Sequence, residues 1–484
     1  MNNKKNQTLY TIGLEIHVQL NTEKKLFSLS NNDNQPNLPN INISAYDIGL
    51  PGTYPYINHS AIQKSIHACK IFNCQVSKYL TFDRKHYFYP DLPLSFQVTQ
   101  QENPIGINGK YQISKNQFIR INNIHIETDA GKIKEYGSKL LLDYNRCGCP
   151  LIEIVTEPDF TTENFGDNIE SSIETFLMLT INDLKQNDIS QVKLELSNFR
   201  VDVNISCRIG DYNSPRYEIK NLNSINAIKN SVIEAKKMLE NKDFDYSVTL
   251  QYDELTKKIS GKREKINADG YMYMYEPTLP PIDTQQFNIE KSISYSIEKV
   301  LYIQKKLDFL NIQYILKIIS NNLILKIVEH IVNNNFNDKK SIIMFVFEIK
   351  HMIEDINIKD YIIISLCELL DKKEILKINA VECIKDLYNE IINTTKEKGE
   401  QIIQQYNLMN VVEEKQYLIK KDLTITKQEI VEILNQTNNL NLIEEFNNGN
   451  TKLLNFGVGL IMKHRKGINP LSVKQIIIDN FFKK

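Results

Sequence analysis

From Asp283 to Lys398 the chain contains neither glycine nor proline, although 17 glycines and 14 prolines occur in its 484 residues. Apolar residues recur there every three or four positions, as at Leu301, Ile303, Leu307, Leu310 and Ile312. A stretch this long without a breaker, carrying that rhythm, predicts a segment built of helices alone. Every proline except Pro470 precedes Ile282, so the compositional border falls near residues 283–290.

Ahead of the border, short runs alternate apolar and polar residues: Tyr10 to Leu20, Phe118 to Glu127 and Val192 to Arg208. Turn chemistry separates them, as in Leu50-Pro51-Gly52, Tyr89-Pro90-Asp91 and Asp129-Ala130-Gly131. One helical stretch is expected between them, from Glu163 to Asn187, opened by Thr161-Thr162-Glu163. The class this implies is α+β, with a mainly antiparallel sheet followed by helices. A chain of this length exceeds one core and holds two or three domains.

The formal net charge of −1 provides no global attraction to nucleic acid, so RNA contacts would rest on local basic patches. One such run, Lys463-His464-Arg465-Lys466, follows a short apolar helix and reads either as a solvated helix end or as an RNA contact. The seven cysteines are odd in number and scattered, which points to reduced thiols in a cytosol-like compartment. Neither an apolar signal core nor an Arg/Ser-rich transit segment opens the sequence, and no apolar run is long enough to span a bilayer.

The front part repeats one device, ionisable side chains at alternate positions of strand-like runs, where they share a face. Glu15 pairs with His17; His125, Glu127 and Asp129 line up; so do Arg200, Asp202 and Asn204. Glu218 stands with Lys220, and Lys85 with Tyr87 and Tyr89. Glu153 is a lone carboxylate inside Pro150-Leu151-Ile152-Glu153-Ile154-Val155. A solvated outer face mixes charges loosely, whereas carboxylates, imidazoles and cations gathered on neighbouring strands suit a divalent cation and phosphate oxygens. No Walker-type phosphate loop is present, and Cys147-x-Cys149 lacks the second pair a zinc site needs.

Taken in order, several segments resemble the GatB family, the B subunits of glutamyl-tRNA(Gln)/aspartyl-tRNA(Asn) amidotransferases. They are Ile12-Gly13-Leu14-Glu15-Ile16-His17, Phe82-Asp83-Arg84-Lys85 with Tyr87-Phe88-Tyr89-Pro90-Asp91, and Asp129-Ala130-Gly131-Lys132. Tyr144-Asn145-Arg146-Cys147-Gly148, the run from Pro150 to Asp159, Asp202-Val203-Asn204, Glu218-Ile219-Lys220-Asn221, and Gly459-Leu460-Ile461-Met462-Lys463 continue the likeness.

The resemblance implies a cradle domain over residues 1–288, a helical domain over 289–410 and a tRNA-binding tail over 411–484. It implies ATP and Mg²⁺, Glu-tRNA(Gln) and/or Asp-tRNA(Asn) as substrate, and the partners GatA (glutaminase) and GatC (linker). The location would be the cytoplasm or the matrix of an organelle. His17 and Glu153 match metal ligands with Glu15 beside them, and Lys85 and Tyr87 match residues lining the reaction site. With the face pattern added, the candidate catalytic residues are Glu15, Lys85, Tyr87, Glu127, Glu218 and Lys220. Lys85, Arg200 and Lys220 are candidates for the phosphates, Glu127 joins His17, Glu153 and Glu15 as a metal ligand, and Lys463, Arg465 and Lys466 would meet tRNA.

The family pattern is broken in places. Two acids usually follow His-x in the third motif, the second resembling a metal ligand; here they are Glu127 and Thr128, so a carboxylate is expected to be missing, with Glu127 leaving the opposite side of the strand. Leu196 and Met272 replace a Glu and an Arg. Ser28, Ser30, Ser44 and Asp47 stand where many members carry zinc-binding cysteines, so no structural zinc is expected. A tRNA-binding scaffold with impaired phosphoryl transfer, and a phosphotransferase acting on a small acid, are the competing readings.

Overall fold

The computed structural model describes residues 8–33, 38–193, 198–264, 271–287, 292–356, 358–415, 417–419, 425–435, 442–465 and 468–482. The chain divides into two compact units, residues 1–302 and 303–484.

The first unit is organised by one sheet. Its strand order is Lys258–Glu264, Val248–Asp253, Tyr217–Leu222, Phe199–Ile209, Thr8–Gln19, Pro150–Thr156, Phe118–Thr128, Gly106–Gln112 and Gln75–Val76. Every neighbouring pair runs antiparallel except Tyr217–Leu222 with Val248–Asp253, which the helix Ile225–Asn241 joins as a crossover. Period-2 patterning makes the central strands two-faced. Ile12, Leu14, Ile16, Val18, Ile124, Ile126, Ile152, Ile154, Val201, Val203 and Ile205 all sit on the buried side, none more than 1% exposed. Ile169–Gln186 and Ile225–Asn241 are tied to each other through Lys229–Glu174 (2.7 Å) and Lys236–Glu170 (2.5 Å). Phe176 meets the rings of Phe160 and Tyr111, and the Tyr111 hydroxyl donates to Asp183.

The sheet unit holds more helix than the sequence reading expects. The expected stretch is broken at Gly166 (φ 55°) into Thr162–Phe165 and Ile169–Gln186. Two further long helices appear, His59–Ile71 and Ile225–Asn241. Both carry their own start signals, for Asn58 accepts from the Ser60 and Ala61 amides and the Ser224 hydroxyl from the Ala227 amide. A second, three-stranded sheet orders Met272–Tyr275, Asp83–His86 and Phe96–Thr99. The Gln97 amide group donates to the Thr128 carbonyl at 2.8 Å, fastening this small sheet to the end of a central strand.

The second unit is helical throughout its described residues apart from an isolated bridge between Ile375 and Leu418. Where glycine and proline are absent, up to Lys398, short polar side chains begin the helices instead. Asn311, Asn321 and Asp338 each accept from the third backbone amide onward and open Ile312–Ile319, Asn322–Asn333 and Lys339–Glu348. Toward the C-terminus a separate apolar cluster joins Ile430, Leu442, Phe446, Ile461, Val473 and Ile477. Among the described residues, no helix is long and apolar enough to cross a membrane.

Candidate functional site

Opposite the buried face, the central strands set polar residues side by side in register. His125, Glu153, His17 and Arg200 are consecutive partners across four strands, and Glu15 stands opposite Asp202 one step along. This follows from alternation: the apolar residues claimed by the core force the intervening Glu, His and Asp onto one surface.

His17 Nδ1 lies 3.3 Å from Glu127 Oε1 and 3.9 Å from Glu153 Oε2. His125 Nε2 stands 3.1 Å from Glu153 Oε2 and 3.9 Å from Glu127 Oε2, while its Nδ1 meets the Asn123 side chain at 2.9 Å. Burial disfavours a charged His17 ring, yet Glu153 and Glu127 overcome that and raise it to about 9. Glu153 is the reverse case: burial works against the carboxylate, and His17, His125 and Lys85 hold its pKa well below the usual range.

A second cluster adjoins the first. Glu15, Asp202 and Glu218 gather their oxygens, and Lys220 Nζ lies 3.2 Å from Asp202 and 3.3 Å from Glu218. The strand pairing shifts register beside Asp202, where Asn221 adopts φ 60° and its amide donates to Asp202 Oδ1. Burial, then Glu153, Asp202 and Glu218, raise the Glu15 carboxyl. Asn204 donates to Glu15 at 2.9 Å, and its own Oδ1 is buried with no hydrogen-bond partner. A cavity of about 290 Å³ opens here between Gly13, Glu15, Pro158, Asn204, Ser206 and Arg216.

Lys85 and Tyr87 come from the small sheet and the loop that follows it. Burial opposes the Lys85 charge, but the negative field of Glu127, Tyr273 and Glu153 raises its pKa, and its ammonium lies 4.9 Å from the Tyr271 ring centre. Tyr87 meets the edges of Tyr89 and Tyr271, both at 6.1 Å. Arg200 turns to Asp129 at 3.4 Å, where Arg146 also binds, at 2.9 Å through Nε.

Two expectations need correction. Glu127 and Thr128 do leave opposite sides of their strand, but the side that faces His17 is that of Glu127, not of position 128. Thr128 is the residue pointing away, its hydroxyl accepting from the Val98 amide at 3.2 Å. An acid at position 128 would therefore project toward the Val98 backbone, and its absence removes no group from the His17 cluster. Glu15 belongs with Asp202 and Glu218 rather than with the His17 ligand set. Leu196 and Lys466 lie outside the described residues. Met272 is 56% exposed and pairs with His86 at the edge of the small sheet. Ser28, Ser44 and the fully buried Lys25 surround the Asp47 carboxylate, with Lys25 Nζ at 3.5 Å. In the tail, Lys463 is exposed and Arg465 is paired with Glu429.

His125, Asp202 and Asp129 are the contributors that the candidate set omits. Each stood in an alternating run, but only strand order shows which runs are neighbours.

The His17, Glu127 and Glu153 donor atoms lie within 4.8 Å of one another. Mg²⁺ takes its oxygen ligands at about 2.1 Å, so the three donors would have to draw closer together to hold it. Two hard oxygens and one imidazole fit such an ion with waters completing the shell.

A profile of the GatB/GatE catalytic domain matches residues 10–290, the segment that builds this site. The chain belongs to the GatB/GatE catalytic-domain family. It is 41% identical over 285 residues to the B subunit of an aspartyl/glutamyl-tRNA(Asn/Gln) amidotransferase of Malacoplasma penetrans, covering 57% of each chain. The B subunit of a mitochondrial glutamyl-tRNA(Gln) amidotransferase of Komagataella phaffii is 40% identical over 285 residues, 56% of this chain and 55% of its own length. These two alignments thus cover little more than half of each relative. Similarity to the aspartyl/glutamyl-tRNA(Asn/Gln) amidotransferase B subunit of Mycoplasma mobile is lower, 33%, but extends over 98% of both chains. The GatB/GatE match therefore coincides with the sheet unit, and the helical unit is reached by the longer alignment.

Proposed function

We propose that the chain phosphorylates, and then amidates, the side-chain carboxylate of misacylated Glu-tRNA(Gln) and/or Asp-tRNA(Asn). The observation that carries this reading is the pair of adjoining polar clusters on one sheet face, His17–Glu127–Glu153 beside Glu15–Asp202–Glu218, with Lys85 and Lys220 at their margins.

In this reading His17, Glu127 and Glu153 hold Mg²⁺ and the cavity beside Glu15 takes the nucleotide. When bound, the ion would neutralise phosphate charge and hold the oxygens in line. Lys85, kept cationic by the acids around it, spreads the charge developing on the transferred phosphoryl group. The substrate carboxylate oxygen bonds to the γ-phosphorus, the bond to the bridging oxygen breaks and ADP departs. Ammonia then attacks the acyl carbon and phosphate leaves. Glu15, with its raised pKa, suits the uptake of the proton that ammonia releases. Lys220, fixed by Asp202 and Glu218, and Arg200 stand by for phosphate oxygens.

The names of the relatives support a heteromeric complex. GatA as source of ammonia, GatC as linker, a cradle of residues 1–288, a helical domain of 289–410, a tRNA-binding tail of 411–484 and a cytoplasmic or organelle-matrix location complete the proposal. The scaffold reading draws on Thr128, and a cluster of His17, Glu127 and Glu153 that does not involve position 128 speaks against it. Incubating the purified complex with Glu-tRNA, glutamine and ATP is the test. ADP formation that depends on Glu-tRNA is the expected result; tight tRNA binding without ADP would establish the scaffold instead.

A further inference from the structure

A two-stranded ribbon, Lys132–Tyr136 paired with Lys139–Asp143, is not part of the two larger sheets of the first unit. Residues 132–141 are all exposed. An isolated hairpin of this size is marginal in water, so its own packing does not account for it. Register divides its side chains. Lys132 opposite Asp143, Lys134 opposite Leu141 and Tyr136 opposite Lys139 share one face, while Ile133, Glu135, Leu140 and Leu142 share the other. The first face thus holds three ammonium groups, one carboxylate and a Tyr136 ring that is 74% exposed.

The ribbon is rooted at the rim of the polar site. It springs from Asp129, which Arg146 and Arg200 bind, and the Gly131 amide donates to the Asp91 carbonyl at 2.8 Å. The Tyr144 hydroxyl closes the other root by donating to the Pro90 carbonyl, also at 2.8 Å. Gly131 is required at this junction, because a Cβ would come within 2.8 Å of the Tyr144 ring. The same loop carries Phe88, 81% exposed, and Tyr89, 55% exposed. Five residues of strand reach roughly 16 Å beyond the rim.

We propose that this basic face and the Phe88–Tyr89 loop form the surface that holds a single-stranded RNA end at the mouth of the site. Unpaired bases stack on exposed aromatic rings, and lysines follow the phosphates. A chain with no overall positive charge needs such a local patch to attract a polyanion. The inference rests on tRNA being the substrate and adds where its unpaired end lies.

The test measures binding of tRNA to the full chain across a series of salt concentrations. For Lys132→Gln/Lys134→Gln/Lys139→Gln we expect at least about tenfold weaker binding near 0.1 M salt and a log–log salt slope shallower by about 2, from roughly 0.7 per phosphate contact on a single strand. Phe88→Ala should weaken binding several-fold without altering the slope, and Glu135→Gln on the other face should change neither. A triple variant with native affinity and slope overturns the proposal. So does a triple variant that releases a partner protein while tRNA affinity stays native, since the basic face then docks protein. Glu-tRNA-dependent ADP formation tests the catalytic reading separately: its failure with native tRNA binding sinks that reading and leaves the RNA surface standing.

Discussion

His17 and Glu153 face each other across adjacent antiparallel strands, His17 Nδ1 3.9 Å from Glu153 Oε2, in a row that His125 extends on one side and Arg200 on the other. Backbone register sets this row, so the donors are placed by paired central strands rather than by loops. Preorganisation of that kind is what charge stabilisation requires.

Glu127 and Thr128 offer the sharpest contrast within the row. Glu127→Gln should lower Glu-tRNA-dependent ADP formation by about 100-fold or more, the scale seen when a charge-stabilising group is lost. Thr128→Ala removes the hydroxyl that accepts from the Val98 amide and donates to the Val98 carbonyl, costs about 1 kcal/mol of stability, and should change turnover less than about threefold. Steady-state ADP assays on both variants check this; an inactive Thr128→Ala with normal stability would contradict it.

His17→Ala should abolish amidation and leave tRNA affinity within about twofold, because the ring faces Glu127 and Glu153 in the proposed metal site rather than an RNA surface. Filter binding and amidation assays on one preparation separate the two effects.

Tail removal should do the opposite. The Ile375–Leu418 bridge belongs to the helical unit, so the cut belongs after Ile419, clear of it and ahead of the cluster that includes Ile430 and Phe446. Truncation there is expected to weaken tRNA binding by at least about tenfold, the loss of several phosphate contacts. Unchanged affinity would remove the tail from the RNA-binding account.

Glu276 is buried and accepts two hydrogen bonds from Arg84, at 2.7 and 2.8 Å. Burial raises its pKa, and Arg84 with Thr278 more than reverses this, leaving it below the ordinary value. A depressed folded-state pKa contributes stability above the unfolded value near 4 and loses it as pH falls through the folded value. Glu276→Gln should therefore cost about 2 kcal/mol at pH 7, less than a fully buried pair because Arg84 is 27% exposed. The difference from the native chain should shrink below about pH 4, as denaturant unfolding at the two pH values would record.

Much of this architecture was legible in the order of residues. Alternation announced the central strands, and the missing glycines and prolines announced the helical unit. What alternation could not supply was strand order, which joins His125 to Glu153 and Asp202 to Glu15 across long sequence separations. Position 128 misled because motif likeness gave the ligand role to the second of two adjacent acids, whereas period-2 geometry admits only Glu127 to the face that His17 occupies. The helices His59–Ile71 and Ile225–Asn241 went unread although Asn58 and Ser224 cap them, because the surrounding strands dominate the pattern. Asparagine and aspartate caps likewise punctuate the second unit where breakers are absent.

The central claim is that His17, Glu127 and Glu153 grip one divalent cation. Crystals of the full complex soaked in Mn²⁺ and ADP, examined by anomalous scattering, test it directly. One peak within about 2.2 Å of a His17 ring nitrogen and of an oxygen from both Glu127 and Glu153 is predicted. A peak bound only by other residues, or none at saturating Mn²⁺, would contradict it.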